Sequence, residues 1–418
     1  MYALVDCNNF FASCERVFKP QFRNQPVVIL SNNDGCVISR SDEAKALHVP
    51  MGAPEFKYRS FFKNNNIQVF SSNYPLYGDM SDRVMSILRQ FSPDVEIYSI
   101  DEAFLHFDGF ESCDFKQYGI DIHKRILQWT GLPTSVGIAP TKALSKIANK
   151  YARKHPKETE NAFVIDTEAK RIHLLKNTPI QDVWGIGRRL SKRLISQQIY
   201  TAYDFIMLPD LWVKKRFSIT EYALKKDLEG IPTLTLEDVH SKKSIATTRT
   251  FEGTYSDFEE VKERTATFAI QSSEKLRKQQ SLCNGLIVLL RSDRHQPHLE
   301  QYRNSVHIPL PHPTNSSLTI SNFAIKGLKS IFRKGIAYKR AGIILTGLVD
   351  ENNYQLDFFN EPNPKHNNLM STIDELNQKI GDYKIKIASQ DLDRTWKMKQ
   401  QHLSPRYTTK IEEILTVK

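Results

Sequence analysis

Three acidic residues lie where short apolar segments of the chain end or are interrupted. Asp6 follows the apolar residues 2–5, and Asp101 and Glu102 interrupt a second β-prone run. A regular strand would send neighbouring side chains to opposite faces, and burying an unpaired carboxylate is costly. A turn or bulge at the doublet would instead let the three carboxylates converge on a cation. Carboxylate oxygens suit Mg²⁺, and three acids around two such ions suit in-line phosphoryl transfer.

Two plainer interpretations of these acids stay open from the residues alone. The Asp101–Glu102 doublet could be solvated at the tip of an exposed hairpin, and Asp6 could simply cap the segment after its strand. The flanking runs 95–98 and 104–107 are rich in β-branched and aromatic residues, so two strands are predicted there. The acids share a site only if these strands and the first one are neighbours in a sheet.

The composition predicts a multidomain protein with a polyanionic partner. The chain has 418 residues, which on length alone corresponds to about three domains. Its net charge is +11, and residues 242–350 carry 17 Lys and Arg against 9 Asp and Glu, which is +8 of that total. Such a basic segment favours a nucleic acid backbone, although a surface that merely aids solubility is the plainer alternative.

The cysteines and the apolar segments predict a soluble protein of the cytoplasm. The five cysteines are odd in number and form no Cys-x-x-Cys pair, which fits reduced thiols and not a disulfide or zinc framework. The chain begins directly with a strand pattern, so no signal peptide is expected. No apolar run approaches the length of a membrane-spanning helix.

Hydrophobic spacing predicts the strands and helices that would carry these groups. Residues 80–91 follow helical spacing, residues 134–139 form a strand, and another helix begins near residue 140. On that helix a lysine recurs every four residues, which is typical of a solvated basic face; these are Lys142, Lys146 and Lys150. Residues 244–350 alternate in the order β-α-β-β-α-β.

Two motifs carry a family resemblance. Residues 6–15 read D-C-N-N-F-F-A-S-C-E, and residues 99–103 read S-I-D-E-A. The combination of D-x-N-x-F-[FY]-A-S-x-E with S-x-D-E-A resembles the Y-family of translesion DNA polymerases. The similarity extends through residues 31–38 and 403–409 and covers essentially the whole chain.

The resemblance implies an α+β multidomain, right-hand-like polymerase. It would comprise an α+β palm at 1–18 and 77–165, small fingers at 19–76, a helical helix-hairpin-helix thumb at 166–240, a β-α-β-β-α-β little finger at 244–350 and a C-terminal tail at 351–418. Asp6, Asp101 and Glu102 would be the catalytic acids and would hold two Mg²⁺ ions. The backbone carbonyl of Cys7 would be a further metal ligand.

The resemblance also implies contacts to the incoming nucleotide. Phe11 corresponds to the steric gate of the family, an aromatic ring that blocks the 2′-hydroxyl of a ribonucleotide. Phe10 lies beside it, and packing in the core is the alternative for both rings. The triphosphate would be bound by basic residues that could otherwise be ordinary surface charges, namely Arg40, Lys45 and either Arg153 or Lys154. Asp42 stands where many relatives have a phosphate-binding Tyr.

A glycine hairpin occurs in residues 183–190, which read V-W-G-I-G-R-R-L. It resembles helix-hairpin-helix elements that bind DNA. Gly185 and Gly187 let backbone N–H groups approach a phosphate closely, and a following helix that starts with Arg188 favours the anion. A plain connection between helices is the alternative.

A short motif follows the predicted little finger. Residues 355–359, Q-L-D-F-F, resemble the Q-L-x-L-F peptide that binds the bacterial sliding clamp, with Phe where the fourth residue is usually Leu. The anchoring residues would be Gln355, Leu356, Phe358 and Phe359. The C-terminal region of similar proteins contacts a UmuD′ dimer and RecA, so the resemblance implies both as partners.

The resulting hypothesis is an error-prone translesion DNA polymerase that acts in DNA damage tolerance and SOS mutagenesis. It would join a dNTP to a primer 3′-hydroxyl on primer–template DNA by positioning and charge neutralisation, without a covalent intermediate. Two alternatives stay open. A two-metal nuclease could use the same acids but leaves the basic residues near the triphosphate unexplained. A non-catalytic DNA-binding scaffold would keep the basic segments but has no reason to keep three carboxylates.

Overall fold

The computed structural model describes residues 1–110, 112–236, 241–354, 363, 365–381, 384–390 and 398–416. The chain forms two compact units. The first comprises Met1–Asp238 together with Gln400–Lys418, and the second comprises Val239–Lys399. Helices and strands are mixed in both, which confirms the predicted α+β class. Within the described ranges, no helix is both long and apolar enough to cross a membrane.

Strands and helices alternate along most of the chain. The strands are β1 (Tyr2–Cys7), β2 (Val27–Leu30), β3 (Val37–Arg40), β4 (Gln68–Ser71), β5 (Asp94–Ile97), β6 (Glu102–His106), β7 (Thr134–Ala139), β8 (Ala162–Val164), β9 (Ile245–Tyr255), β10 (Ser281–Ser292), β11 (Arg303–Thr314) and β12 (Tyr338–Asp350). The helices are α1 (Phe10–Phe18), α2 (Asp42–Ala46), α3 (Glu55–Asn64), α4 (Tyr74–Leu88), α5 (Phe115–Thr130), α6 (Lys142–Lys154), α7 (Pro156–Thr159), α8 (Glu168–Lys176), α9 (Arg188–Ile195), α10 (Ala202–Ile206), α11 (Asp210–Arg216), α12 (Ile219–Leu228), α13 (Phe258–Lys278), α14 (Ser317–Ile331) and α15 (Lys365–Ile380).

The largest sheet of the first unit has the strand order β5-β6-β1-β7-β8. Its central strand β1 is an apolar run that is buried almost completely, as a strand with neighbours on both sides requires. It pairs antiparallel with β6 on one side and with β7 on the other. Helices α1, α4 and α5 share a hydrophobic core with this sheet. The pairing brings chain segments that are about a hundred residues apart to neighbouring strand ends.

Helix α6 crosses β7 so closely that residue 137 has to be glycine. A Cβ atom on Gly137 would lie 2.0 Å from the backbone nitrogen of Asn149 and 2.3 Å from the backbone oxygen of Ser145. The Asn149 side chain also donates to the backbone oxygens of Leu4 and Ser135, at 3.1 and 2.6 Å. These contacts fix the lysine-bearing helix over β1 and β7.

Two smaller groups of elements complete the first unit. Strands β3, β2 and β4 form a three-stranded sheet, in which β2 pairs antiparallel with β3 and parallel with β4, and its core includes residues of α2 and α3. Residues 166–228 are mainly helical, as predicted, and pack against α6 in a separate core.

The second unit is one antiparallel sheet in the order β11-β10-β12-β9, with α13 and α14 packed on one face. Its chain order confirms the predicted β-α-β-β-α-β arrangement. Buried residues alternate along β10, where Leu286, Val288 and Leu290 face the helices. Helix α15 is attached by Arg277, which donates to both carboxylate oxygens of Asp374 at 2.6 and 2.8 Å.

The C-terminal segment 400–416 packs on the first unit. The backbone N–H of Ser71 donates to the carbonyl of His402 at 3.0 Å. The ring of Tyr407 stacks on Phe18, with centroids 4.6 Å apart. The polar sequence of this segment carries no periodic pattern that predicts such docking.

Candidate active site

The three predicted acids lie together at one end of the largest sheet. Asp6 and Glu102 are register partners on β1 and β6. The backbone N–H of Cys7 donates to the carbonyl of Asp101 at 2.9 Å. The doublet is shaped by Ser99, whose hydroxyl accepts from the backbone N–H groups of Asp101 and Glu102 at 3.3 and 3.1 Å. Asp101 therefore lies in the turn, and Glu102 begins the next strand.

The Asp6 carboxyl sits in surroundings that disfavour its charge. Its pKa is raised to about 7, first of all by burial; the Arg153 guanidinium opposes this shift, and the carboxylates of Glu102 and Asp101 add to it. The closest Arg153 nitrogen lies 3.4 Å from Asp6 Oδ1. Because the acids repel one another at a mostly buried position, the site favours additional positive charge.

Glu102 is paired with a lysine from α6. Lys146 Nζ lies 3.0 Å from a Glu102 oxygen, and the Lys146 side chain is only 15% exposed. The same ammonium lies 4.4 Å from the ring centroid of Tyr98, whose hydroxyl accepts a hydrogen bond from Trp184. The prediction of a solvated basic face is wrong here and also at Lys142, which is 3% exposed and pairs with a β5 carboxylate at 2.8 Å. The reason is that α6 lies over the sheet, so these lysines point at acids on the strands.

The donor atoms of Asp6, Asp101, Glu102 and Cys7 decide whether this end of the sheet fits a divalent metal. Asp101 accepts the hydroxyl of Ser99 at 2.5 Å, and the other two acids face the cations described above. Among the described residues, no group of three His, Cys, Asp or Glu is arranged to hold a metal as it stands. Asp6 and Glu102 nevertheless fit a cation, because it would relieve their mutual repulsion. Burial raises the pKa of the Cys7 thiol well above its usual range, so only the backbone carbonyl suits a hard cation.

A cavity of about 210 Å³ opens beside Asp6 and Asp101. Most residues predicted to contact the nucleotide line it, namely Phe10, Phe11, Arg40, Lys45 and Arg153. A second cavity of about 940 Å³ also touches Asp6 and is bordered by Lys154. The structure thus brings together side chains from β1, α1, β3, α2 and α6 around the acids.

Asn9 organises the cations of this cavity, and the sequence patterns missed it. Its backbone is left-handed, with φ of 52°, a conformation that Asn tolerates better than most residues. Its side-chain oxygen accepts from the Lys45 ammonium and, at 2.9 Å, from the Arg153 guanidinium. Lys45 also pairs with Asp42 at 2.8 Å. Asn9 occupies an unspecified position of the family motif in residues 6–15, so the motif did not mark it.

The structure distinguishes Arg153 from Lys154, which the sequence left as equal candidates for the triphosphate contact. Arg153 contacts Asp6 and Asn9, whereas Lys154 is exposed to solvent. Arg40 also lines the cavity, but its guanidinium donates to the backbone oxygen of Val49. Arg153 is therefore the better placed of the two toward a bound anion.

The two adjacent phenylalanines have different environments. Phe10 is 3% exposed and belongs to the hydrophobic core, so core packing accounts for most of its surface. Phe11 is partly buried and stacks on Tyr77, with ring centroids 4.5 Å apart and an angle of 15° between the planes. Both rings line the cavity, and Phe11 is the more exposed of the two.

The Gly-x-Gly segment is a tight hairpin before α9. Gly185 has φ of 84°, which favours glycine, and Ile186 is buried in the core of the helical segment. Gly187 caps α9, and Arg188 is the exposed first residue of that helix. The backbone N–H groups at this helix start are available to an anion.

Three arginines form a row across the second unit's sheet. Arg291 on β10 is the register partner of Arg303 on β11 and of Arg340 on β12. Because Leu290 is buried against the helices, the next residue, Arg291, points to the opposite, open face. Like charges directly opposite each other destabilise a sheet, so this row favours a bound anion.

The predicted clamp-binding motif at 355–359 lies outside the described residues. Its four anchors, Gln355, Leu356, Phe358 and Phe359, therefore rest on the sequence alone. The described residues before the motif end at Tyr354, and those after it begin with residue 363 and α15.

Comparisons with known proteins cover the whole chain. Residues 5–150 match the impB/mucB/samB family, residues 242–358 match the impB/mucB/samB family C-terminal domain, and residues 367–417 match a domain of unknown function (DUF4113). Protein UmuC of Salmonella typhimurium (strain LT2) is 39% identical over 100% of both chains. Protein ImpB of Salmonella typhimurium is 37% identical over 99% of both. DNA polymerase IV of Treponema denticola is 30% identical over 59% of this chain and 62% of its own.

Solved structures share the fold. A Y-family DNA polymerase chimera of Dbh and Dpo4 aligns with a TM-score of 0.64 at 21% identity, over 84% of this chain and 99% of its own. The crystal structure of DinB from Sulfolobus solfataricus aligns with a TM-score of 0.52 at 22% identity, over 84% and 99%. The full-length identity to UmuC, the family matches and the shared architecture show that this chain belongs to the Y-family DNA polymerases, in their impB/mucB/samB branch.

Proposed function

We propose that the chain is an error-prone, template-directed DNA polymerase that copies damaged DNA in damage tolerance and SOS mutagenesis. The observation that carries the proposal is the register pair Asp6–Glu102 beside a cavity that also holds Phe11, Lys45 and Arg153. Carboxylates next to anion-binding cations suit a metal-bound nucleoside triphosphate. The Y-family membership supports the same reaction.

Membership of this family implies a divalent metal, and we propose two Mg²⁺ ions. Asp6, Asp101, Glu102 and the backbone carbonyl of Cys7 would hold them. When bound, such ions activate an attacking hydroxyl and neutralise charge on the transferred phosphate. The chain itself positions the acids through the β1–β6 register and the Ser99 turn.

The residues around the cavity would bind the dNTP. Lys45 and Arg153 would bind the triphosphate, with Arg40 beside them, and Asn9 would orient the first two through its side-chain oxygen. The Phe11 ring would contact the sugar and exclude a 2′-hydroxyl. Lys154 is exposed and would contribute little to this contact.

The remaining elements would hold primer–template DNA. The palm would comprise residues 1–18 and 77–165, the fingers 19–76, the thumb 166–240 and the little finger 244–350. The hairpin of Gly185, Gly187 and Arg188 would contact duplex phosphates without reading bases. The arginine row of the second unit would contact further phosphates, in keeping with its basic balance.

Other partners follow from the resemblance alone. A sliding clamp would bind residues 355–359, and a UmuD′ dimer and RecA would contact the chain in the cytoplasm. Deleting residues 355–359 should weaken extension that depends on the clamp and leave distributive synthesis intact. Unchanged clamp stimulation of the deletion variant would remove this motif from the proposal.

Primer extension tests the central proposal. Wild-type protein should extend a primer with dNTPs in the presence of Mg²⁺. Asp101→Ala should reduce extension at least about a hundredfold, because metal stabilisation is worth several kcal/mol, while DNA affinity persists. Asp94→Ala is the matched control. Asp94 is an exposed acid at the opposite end of the same β5–β6 hairpin, where it is the register partner of His106.

The same assay separates the alternatives. Cleavage of DNA without added nucleotides would identify a nuclease, and DNA binding without either reaction would identify a scaffold. Equal extension by Asp101→Ala and wild type would contradict the assignment of the metal ligands.

A further inference from the structure

Residues 400–409, which we name the C-terminal strap, are hydrogen-bonded to the end of β4. The backbone N–H of Ser71 donates to the carbonyl of His402, and the His402 N–H donates to the Ser71 hydroxyl, both at 3.0 Å. The backbone N–H of Gln401 donates to Asp34 at 2.7 Å, and the Ser71 hydroxyl donates to the same carboxylate at 2.5 Å. The strap is therefore hydrogen-bonded to the edge strand β4 of the three-stranded sheet in the first unit.

One buried amide joins the strap to the start of α4. The side-chain nitrogen of Asn73 donates to the hydroxyl and the carbonyl of Ser404, at 2.9 and 3.1 Å, and to the carbonyl of Pro405 at 3.1 Å. The side-chain oxygen of Asn73 accepts from the backbone N–H of Leu76 and so caps α4. The strap and the first turn of α4 therefore depend on the same side chain.

A buried carboxylate links the strap to α1 and α4. Glu15 is 0% exposed, and its Oε1 accepts from the Ser404 hydroxyl at 2.9 Å and from the Tyr77 hydroxyl at 2.8 Å. Its other oxygen has no hydrogen-bond partner among the described residues. Burial raises the pKa of Glu15, and the two hydroxyls oppose that shift. The carboxylate therefore relies on two hydroxyl donors, one of which comes from the strap.

Tyr77 carries this link to the candidate gate. Its ring is fully buried and stacks on Phe11 at 4.5 Å, while its hydroxyl is held by Glu15. Phe11 and Glu15 lie four residues apart on α1, so both stand on the same side of that helix. The position of the Phe11 ring is thus coupled to a carboxylate that the strap binds.

We propose that the C-terminal strap is a positioning element of the active site, in which Ser404 holds Glu15 and Tyr77 and thereby fixes the Phe11 ring against the sugar of the incoming nucleotide. The inference rests on the proposed function, because Phe11 can select a sugar only if the cavity binds nucleotides. It gives a role to part of the segment 367–417, which matches a domain of unknown function. Ser404 is a specificity-determining residue that acts through other side chains.

The first experiment compares sugar selectivity. Single-nucleotide incorporation is measured with a dNTP and the matching rNTP, and the ratio of the two kcat/KM values is the readout. Ser404→Ala should lower that ratio roughly threefold to tenfold, the range that corresponds to the net contribution of one ordinary hydrogen bond. Thr409→Ala is the matched control, because Thr409 is an exposed residue of the same strap, and its ratio should equal that of wild type.

A double-mutant cycle tests whether the effect passes through Glu15. Tyr77→Phe keeps the stacked ring but removes the other hydroxyl that binds this carboxylate. If Ser404 acts through the same group, the double variant should lose less selectivity than the product of the single losses. Fully independent losses would overturn the proposed route.

Hydrogen exchange supplies a readout that does not require catalysis. Ser404→Ala should speed amide exchange in α1 and in the first turn of α4, and Thr409→Ala should not. If wild type extends primers but Ser404→Ala keeps both its selectivity and its exchange pattern, the inference is overturned. If wild type fails to extend primers at all, the proposed function fails and the selectivity role falls with it, while exchange alone still decides whether the strap holds α1.

Discussion

Asp6 faces Glu102 across β1 and β6, and Arg291 faces Arg303 and Arg340 across the second unit's sheet. Both regions set like charges opposite each other. The Asp6 and Glu102 side chains are 15% and 21% exposed and have cationic partners on α6, whereas Arg303 is exposed and Arg291 and Arg340 are partly exposed. A mostly buried group of like charges needs specific partners held by packing, whereas a row that water reaches is screened by water and salt. We therefore expect single changes to have large, specific effects in the first region and small, salt-dependent ones in the second.

After the acids themselves, the largest expected effect is at Phe11, which lines the cavity beside Asp6 and Asp101. Phe11→Ala should reduce discrimination against ribonucleotides on the order of a hundredfold, because the ring that would clash with a 2′-hydroxyl is lost. The measurement is the ratio of kcat/KM for a dNTP and its rNTP. Phe56→Ala, at an exposed position on α3, is the control. Unchanged sugar selectivity would remove Phe11 from the gate role.

Arg153 should show the next largest effect. Arg153→Ala should raise the KM for dNTP roughly tenfold or more, because a charge-assisted hydrogen bond to phosphate is lost. Lys154→Ala, the adjacent exposed residue, should change KM by less than about twofold, as is usual for a solvated surface charge. Equal effects of the two substitutions would show that the contacts of Arg153 in the free protein do not predict its role with nucleotide.

Burial of Asp6 and its repulsion by the other acids should lower the stability of the metal-free protein at neutral pH. The pKa of Asp6 is raised to about 7, so stability present below the ordinary carboxyl pKa is lost as pH rises through about 7. Asp6→Asn has no such loss, so its stability advantage in EDTA should grow by on the order of 2 kcal/mol between pH 5 and pH 8. Urea unfolding at both pH values measures it, with Asp94→Asn as the exposed control. An advantage that is independent of pH would contradict the raised pKa.

The smallest effect should come from the arginine row. Arg291→Ala should stabilise the second unit by up to ~1 kcal/mol, since it removes like charges on both sides. It should also lower the salt dependence of DNA binding by about one unit of slope while affecting all sequences alike. Titrations at several salt concentrations measure this slope. A large, salt-insensitive loss of DNA affinity would contradict the small, salt-dependent effect expected for the arginine row.

Much of the fold followed from local patterns. The predicted strand 134–139 coincides with β7, and the six elements predicted between 244 and 350 occur in the predicted order. Apolar periodicity reports which side of an element is buried, and that information is present in each segment by itself. The acidic doublet was also interpretable, because two adjacent carboxylates are incompatible with a regular buried strand.

Other features could not be predicted, because they depend on which distant element packs opposite. Lysine spacing on α6 suggested solvent, yet Lys142 and Lys146 meet acids because Gly137 lets the helix approach the sheet. Asn9 and Ser404 are polar residues whose partners lie far away in the chain. The choice between Arg153 and Lys154 depends on the rotation of α6 about its axis.

By itself, the sequence determined which segments are strands and helices, where the acids interrupt them, and to which family the motifs belong. Only the tertiary structure decided which cation meets which carboxylate and that the C-terminal strap returns to Glu15. The physical reason is that apolar periodicity is encoded within one element, whereas a buried polar contact exists only when two packed elements satisfy each other's donors and acceptors.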